Sequence, residues 1–380
     1  MVERVCESAV DVGREIIQAA RNDARWRGIA KQMLPVWNEG MSSLRYTKGE
    51  RSRVTLTEDI DAAGFSEPLQ PESAPAYCAV SGASTPGSTR MAARFSSPEA
   101  SAMNRPFQLV DVFHDGAFSG NPLAVVFDAD DLSTEAMQTM TRWLNLSETA
   151  FLLRPNSPKA DYRVRIFTLE RELPFAGHPT LGSCHAWLWS GATPADESLI
   201  IQECGAGLVP IRRSAGLLAF AAPPLIREGA VEESKVAELA EFLRIDRSLI
   251  IDAQWADNGP GWVVVLLASA DQVLALEPVR DYPRRIEIGV VAPYPAGNPI
   301  AFELRAFFTD QHGAVREDPV TGSLNASTAQ WLLSSGRTAA PYIVAQGTRL
   351  GRSGRVHIAK DREVWVGGAT VTLFSGVSTA

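Results

Sequence analysis

A motif that returns in register constrains this chain more than any other feature. The stretch "AGHPTLGS" at 176–183 comes back as "EDPVTGS" at 317–323, so that His178-Pro-x-x-Gly-Ser is answered 140 residues later by Asp318-Pro-x-x-Gly-Ser. The same spacing pairs Tyr162 with Phe302, Arg165 with Arg305, Phe167 with Phe307, Pro179 with Pro319, Gly182 with Gly322 and Ser183 with Ser323. Each copy reads as an aromatic-x-x-Arg-x-Phe strand, a loop, and a helix entrance whose helix runs on to a glycine, Gly191 or Gly336. Taken singly, either copy is an ordinary helix start, since Asp at the N-cap and Pro in the first position are common there. Two copies in register point to a duplicated domain. Duplicated halves pack about a pseudo-twofold axis with equivalent loops facing across a cleft. Each loop then offers a helix N-terminus, whose free N–H groups and positive dipole end favour an anion. His178 and Asp318 add hydrogen-bonding, ionisable groups, so the expected ligand is a small anionic molecule, an amino or hydroxy acid.

Around this repeat, strands and helices alternate. "FQLVDVF", "LAVVF", "YRVRIFT" (162–168), "GWVVVLLAS" and "AFELRAFF" (301–308) read as strands. "STEAMQTMTRWLNL", "GSCHAWLWSG" (182–191), "SKVAELAEFLRI", "DQVLALEP" and "SLNASTAQWLLSSG" (323–336) read as helices. "LIIQECGAGLVPIRRSAGLLAFAAPP" (199–224) and the tail "GRVHIAKDREVWVGGATVTLFSG" read as strands joined by glycine turns. There is no regular βαβ repeat, so the class is α+β rather than doubly wound. Residues 1–103 differ: a modest helical stripe at 5, 9, 12, 16 and 20 gives way over 48–102 to a Ser-, Pro-, Gly- and Ala-rich stretch with no period. Such a segment buries too little apolar surface to offset its ordering entropy, and it reads as a linker or a disordered extension. Structure signals begin at Met103, which is therefore the expected start of translation; an intact native N-terminus upstream of it, seen by mass spectrometry, would contradict this.

The formal net charge of −8 and the lack of a basic run argue against nucleic acid as a partner. No apolar run reaches the length of a membrane span, and the N-terminus lacks a secretory pattern. The four cysteines (Cys6, Cys78, Cys184, Cys204) are scattered and form no C-x-x-C, which points to free thiols in a reducing cytoplasm. The histidines show no metal-ligand spacing, and Walker, Rossmann, G-x-S-x-G and H-E-x-x-H motifs are missing, so neither metal nor cofactor is expected. "GRSGRVH" (351–357) reads as a turn, or at most an accessory anion contact.

Several stretches in order resemble the PhzF (phenazine biosynthesis-like) family of isomerases, itself related to diaminopimelate epimerase. They are "VDVFHDGAFSGNPLAVV", "NLSETAFLL", "YRVRIFTLERELPFAGHPTLGSCHAWL", "EDPVTGSLNASTAQWLL" and "QGTRLGRSGRVHI". The resemblance spans about Pro106 to Gly376 and implies two pseudo-symmetric α+β lobes, each a barrel-like sheet around a central helix. Lobe 1 would take 104–224 with the C-terminal strand 366–376, and lobe 2 would take 225–365. It implies a cofactor-independent isomerase that moves a proton between carbons of a small cyclic amino acid, and a homodimer. Glu148 in "LSETAFLL" matches the family's proton-transferring glutamate. Its apolar followers, Ala150 to Leu153, would raise its pKa toward working pH. His178 and Asp318 match the positions that orient the substrate, and Gly177, Gly322 and Ser323 those that contact its carboxylate. Asn121 in "SGNP" turns into the cleft or serves only the turn. Two departures stand out. The epimerases carry a cysteine on each lobe where this chain has His178 and Asp318, so two-thiol racemisation is not expected. Leu324 replaces a small residue found in many relatives and is expected to reshape the pocket. The competing class is a binding protein of the same fold without turnover, or a racemase that does without cysteines.

Overall fold

Short β-branched and aromatic runs bounded by Gly, Pro and Asn turns favour strands over helices along most of this chain. In the computed structural model, which describes residues 104–378, eighteen strands join in one hydrogen-bonded sheet. The extension 1–103, with its expected helix and linker and with Cys6 and Cys78, lies outside the described residues. The first half of the sheet holds β1 (Arg105–Val112), β2 (Asn121–Val126), β3 (Glu148–Leu153), β4 (Tyr162–Thr168), β5 (Glu172–Leu173), β6 (Leu199–Cys204), β7 (Gly207–Ser214) and β8 (Leu217–Ala221). The second holds β9 (Arg227–Ala230), β10 (Asp252–Asp257), β11 (Val263–Leu266), β12 (Glu287–Pro293), β13 (Phe302–Thr309), β14 (Val315–Asp318), β15 (Tyr342–Gln346), β16 (Gly354–Lys360) and β17 (Val364–Gly368). A last strand, β18 (Thr370–Ser378), returns to pair with β1.

The strand order is a palindrome centred on the antiparallel pair β8·β17. Outward from it, one side runs β8, β7, β6, β4, β3, β2, β1, β18 and the other β17, β16, β15, β13, β12, β11, β10, β9. Both sides follow one pattern of pairing, with parallel neighbours only at β6·β4 and β3·β2 on one side and at β15·β13 and β12·β11 on the other. β5 and β14 add as short hairpin arms to β4 and β13. This is the α+β, two-lobed fold expected from the internal repeat, and the repeat is carried by the ladder itself.

Each lobe wraps a helix that is apolar or small on nearly every face, as a fully encircled helix must be. In α2 (Gly177–Trp189) the buried positions include Leu181, Cys184 and Ala186; in α5 (Gly322–Ser334) they include Leu324, Ala326, Ala329 and Leu332. One apolar core runs from the strands around α2 to those around α5. Cutting one of its fully buried leucines, such as Leu181, to alanine should cost about 2–5 kcal/mol. Three further helices cover the outside: α1 (Thr134–Leu144), capped by Ser133, then α3 (Glu233–Leu243) and α4 (Ala270–Leu274). Among the described residues no helix is long and apolar enough to cross a membrane.

The structure corrects the helix entrance of lobe 1. The motif predicts a start at Gly182, whereas α2 begins at Gly177 and takes His178 and Pro179 into its first turn. Proline is tolerated there because first-turn N–H groups have no partner within the helix. In lobe 2 the corresponding Asp318-Pro319 stays outside α5, because Val315–Asp318 is drawn into the sheet beside β13.

Candidate active site

Where the lobes meet, α2 and α5 approach each other end to end. A Cβ built on Gly177 would lie 2.9 Å from the Gly322 Cα and 2.7 Å from the Phe220 ring, and one on Gly322 would lie 2.9 Å from the Gly177 Cα. Glycine at both positions is thus a condition of the close approach. The N-cap residues, Ala176 and Thr321, place no side-chain hydrogen bond on the first turns, which leaves two sets of helix N–H groups for an anion.

Glu148, His178, Asp318 and Asn121 come together beside these helix ends, from four separate elements. Glu148 opens β3, and its Oε2 lies 3.6 Å from Nδ1 of His178, the second residue of α2. The glutamate side chain keeps 17% of its surface exposed and the imidazole 4%, so the carboxyl is the group within reach of solvent or ligand. Asn121, the first residue of β2, donates from Nδ2 to Asp318 Oδ1 (3.1 Å) and to the Val320 carbonyl (3.0 Å). Thr321 donates its hydroxyl to Asp318 Oδ2 at 2.6 Å. The side chain thus turns inward, and the turn reading of Asn121 alone falls short.

Burial governs the ionisation of all three groups. It pushes Glu148 up to about 8, reinforced by the negative charge of Asp318. Asp318 rises to about 6 through burial, opposed by hydrogen bonds from Thr321, Asn121 and Ser147. Burial takes His178 down to about 3, with the Pro122 backbone acting in the other direction. Near neutral pH the imidazole is therefore uncharged, and two carboxyls share a site that resists a second negative charge.

The twofold partners in the site are not those the motif pairs. Arg165 grips both oxygens of Glu172, seven residues on, whereas Arg305 grips both oxygens of Glu317, twelve residues on. The longer turn after β13, in which Asp310 accepts from the backbone of His312 and Ala314, takes up the difference. Glu172 thus corresponds to Glu317, Gly177 to Gly322, and His178 to Ser323 rather than to Asp318. The helix-ending glycines, Gly191 and Gly336, already carry this longer spacing of 145 residues in the sequence. By the same ladder Glu148, opposite Thr168, corresponds to Glu287, opposite Phe308. Glu287 is ion-paired with Arg285, a partner Glu148 lacks, and this makes the two walls chemically unlike.

Ser323 sits at the second position of α5 with its Oγ accepting from Trp262 Nε1 (3.1 Å) and its carbonyl from Asn258 Nδ2 (2.9 Å). That leaves its own O–H to donate toward a ligand. Leu324 does not face the cleft as expected. It is fully buried against Gly289, where an added Cβ would meet its Cδ1 at 2.5 Å, and it serves the lobe 2 core. Cys184 is buried in α2, its thiol pushed up to about 12 by burial, and is a core residue. The 351–357 stretch is a brace: Arg352 donates to the Phe118 carbonyl (3.1 Å) and the Ser353 N–H to that of Ser119, in the loop that leads to Asn121. Among the described residues no group of three or more His, Cys, Asp or Glu is arranged to hold a metal ion. Sequence reasoning missed Ser147, Thr321, Asn258, Trp262 and Gln346. Ser147 and Thr321 stand next to motifs already singled out, and "DNGPGW" (257–262) is a Gly/Pro turn with a tryptophan, a visible if weak signal.

A family model described as "Phenazine biosynthesis-like protein" matches residues 110–376. The chain is 37% identical over 293 residues to antisense-enhancing sequence 1 of Schizosaccharomyces pombe, covering 72% of this chain and 98% of that protein. It is 34% identical over 261 residues to the trans-2,3-dihydro-3-hydroxyanthranilate isomerase of Pseudomonas aeruginosa, covering 66% and 88%. The solved structure of a predicted epimerase from Pseudomonas aeruginosa superposes with a TM-score of 0.58 at 27% identity, over 72% of this chain and 98% of the other. A PhzF-family protein from Bacillus anthracis shares the fold, with a TM-score of 0.63 at 22% identity over 73% and 99%. Fold and relatives together define an isomerase of the two-lobed, diaminopimelate-epimerase-like architecture. Within that class, the chain belongs to the PhzF family.

Proposed function

We propose that this isomerase moves a proton between carbon atoms of a small, cyclic amino or hydroxy acid, with Glu148 as the group that takes and returns it. The observation that carries the reading is the state of Glu148. It is a carboxyl raised to about 8, in contact with a neutral histidine, beside two helix N-termini. A group that must both accept and donate works best with a pKa near the operating pH. The substrate carboxylate would take the N–H groups at Gly177 and Gly322, with Ser323 adding its hydroxyl. Asp318 and His178 would hold the polar substituent next to the reacting carbons. Glu148, protonated at the outset, delivers its proton to one carbon as the electrons of the conjugated system shift, and the carboxylate so formed takes up the proton leaving another carbon on the same face. The ion pair Glu287–Arg285 at the twofold-related position favours transfer on one face over a two-base inversion.

The test is solvent exchange. The chain is incubated in deuterated water with trans-2,3-dihydro-3-hydroxyanthranilate, the compound named for the Pseudomonas relative, and with a panel of cyclic α-amino acids. Deuterium entering at carbon supports an isomerase. Saturable binding of these acids with no exchange would favour a binding protein of the same fold.

A further inference from the structure

Gln346 lies on β15, behind the site and far along the chain from Glu148, yet its hydrogen bonds reach the backbone and the hydroxyl that hold Asp318. It is fully buried. Its Oε1 accepts from the Thr321 backbone N–H (3.0 Å) and from Asn325 Nδ2 (2.8 Å). The Asn325 amide is itself oriented, because its Nδ2 also donates to the Thr321 carbonyl (2.9 Å), which can only accept. The Gln346 amide therefore has one possible orientation, with Nε2 directed to Thr321 Oγ1 (2.9 Å) and to the Asp318 carbonyl (3.2 Å). Thr321 Oγ1 receives that hydrogen, which leaves its own free to point at Asp318 Oδ2, 2.6 Å away and the other partner of this hydroxyl. The other carboxylate oxygen receives Asn121 Nδ2, oriented in the same way by the Val320 carbonyl. Both oxygens of Asp318 are thus presented with donors.

We infer that Gln346 is a positioning residue: by fixing the direction of the Thr321 hydroxyl it holds Asp318 as the anion of the pair and leaves the shared proton on Glu148. The other titratable groups about Asp318 are Glu317 and, through Glu148, His178. Glu317 is clamped by Arg305, and His178 is neutral above pH 3 or so. The imidazole therefore does not compete for the proton near pH 7. The inference deepens the proposed proton shuttle, since it explains why Glu148 rather than Asp318 holds the mobile proton.

The experiment reads protonation without any substrate. Carboxyl carbons of Glu and Asp are labelled with carbon-13 in the full chain, assigned with Glu148→Gln and Asp318→Asn, and titrated by NMR. The wild type should show Asp318 ionised and Glu148 protonated at pH 7. Thr321→Val should raise the lower midpoint by about one pH unit or more, the size expected for losing a hydrogen bond to a charge. Thr321→Ser, which keeps the hydroxyl, should restore it. Gln346→Leu, or Gln346→Met where the leucine variant does not fold, should shift it in the same direction as Thr321→Val; a folded Gln346 variant with both midpoints in place would overturn the inference. A wild-type proton on Asp318 at pH 7, or midpoints that Thr321→Val leaves in place, would overturn the inference. The expected spectrum in a protein without carbon exchange would overturn only the isomerase reading.

Discussion

With burial raising Glu148 to about 8 and Asp318 to about 6, the pair would carry one negative charge near neutral pH, and under the proposed mechanism this sets how activity depends on pH. In the proposed mechanism, as pH falls through about 6 Asp318 would take up a proton and its hold on the substrate would weaken; as pH rises through about 8, Glu148 would lose the proton it is to hand over. The rate should therefore follow a bell with limbs near those two values, read as macroscopic constants of the pair. A profile flat from pH 5 to 9 would contradict it. Stability has the opposite bias. Both folded pKa values stand above their ordinary ones, so the fold favours the protonated carboxyls. That contribution is full below the ordinary carboxyl range and is lost as pH rises through about 6 and then about 8. Glu148→Gln, which cannot ionise, should thus gain on wild type as pH rises, by roughly 2 kcal/mol between pH 5 and pH 9 in denaturant melts. The figure is set below the full shift because Glu148 is partly exposed. Of these residues, Glu148, His178 and Asp318 were readable from their motifs. Thr321 and Gln346 were not, because their importance lies in hydrogen bonds that only the folded backbone brings together.

At the scale of elements, the meeting of α2 with α5 is the most sensitive joint. Gly177→Ala or Gly322→Ala would set a methyl group against the opposing helix backbone, where neither side has room to move. Each should cost about 1–3 kcal/mol and weaken carboxylate binding more than it lowers the melting temperature alone would suggest. Calorimetry of both variants with a carboxylate ligand checks this; wild-type affinity would contradict it. The two arginine clamps offer a second comparison. Arg305 and Glu317 are 5% and 12% exposed, while Arg165 and Glu172 are 25% and 38% exposed. Replacing Arg305 with leucine strands a buried carboxylate and should cost about 3–5 kcal/mol. The same change at Arg165 should cost about 1 kcal/mol or less. Equal losses in urea melts would contradict the assigned difference in burial. These elements also show where sequence reasoning slipped. Tyr162–Thr168 and Phe302–Thr309 are strands as their alternation predicts, since a period of two is a local signal. Pro179 and Gly182 look like an entrance and so point to a later start for α2, while the contact of Gly177 with the other lobe, which accompanies the actual start, is not local.

At the scale of the molecule, the palindromic ladder turns two similar halves into one sheet whose centre, β8·β17, joins the lobes. The internal repeat made this much of the fold legible from sequence, because a duplicated pattern survives in residues that the ladder itself needs. The turn length after β13 hid the true pairing of His178 with Ser323, and with it the fact that Asp318 has no ionisable counterpart in lobe 1. Return of β18 to β1 means that, among the described residues, the last strand completes the lobe begun by the first. Ending the chain at Ala369 should thus disrupt lobe 1 and abolish ligand binding between the lobes, with loss of amide protection in β1 and β2 by hydrogen exchange. Protection equal to wild type would show that β18 is dispensable.

The account turns on Glu148 as the carrier of the proton, and deuterium incorporation at carbon is its most direct test. With a cyclic amino-acid substrate in deuterated water, the wild type should place solvent deuterium at the carbon that receives the proton. Glu148→Gln should bind the same compound within a few-fold while exchange falls by about 10²–10⁴. Exchange in Glu148→Gln at the wild-type rate would remove Glu148 from the reaction and contradict the account.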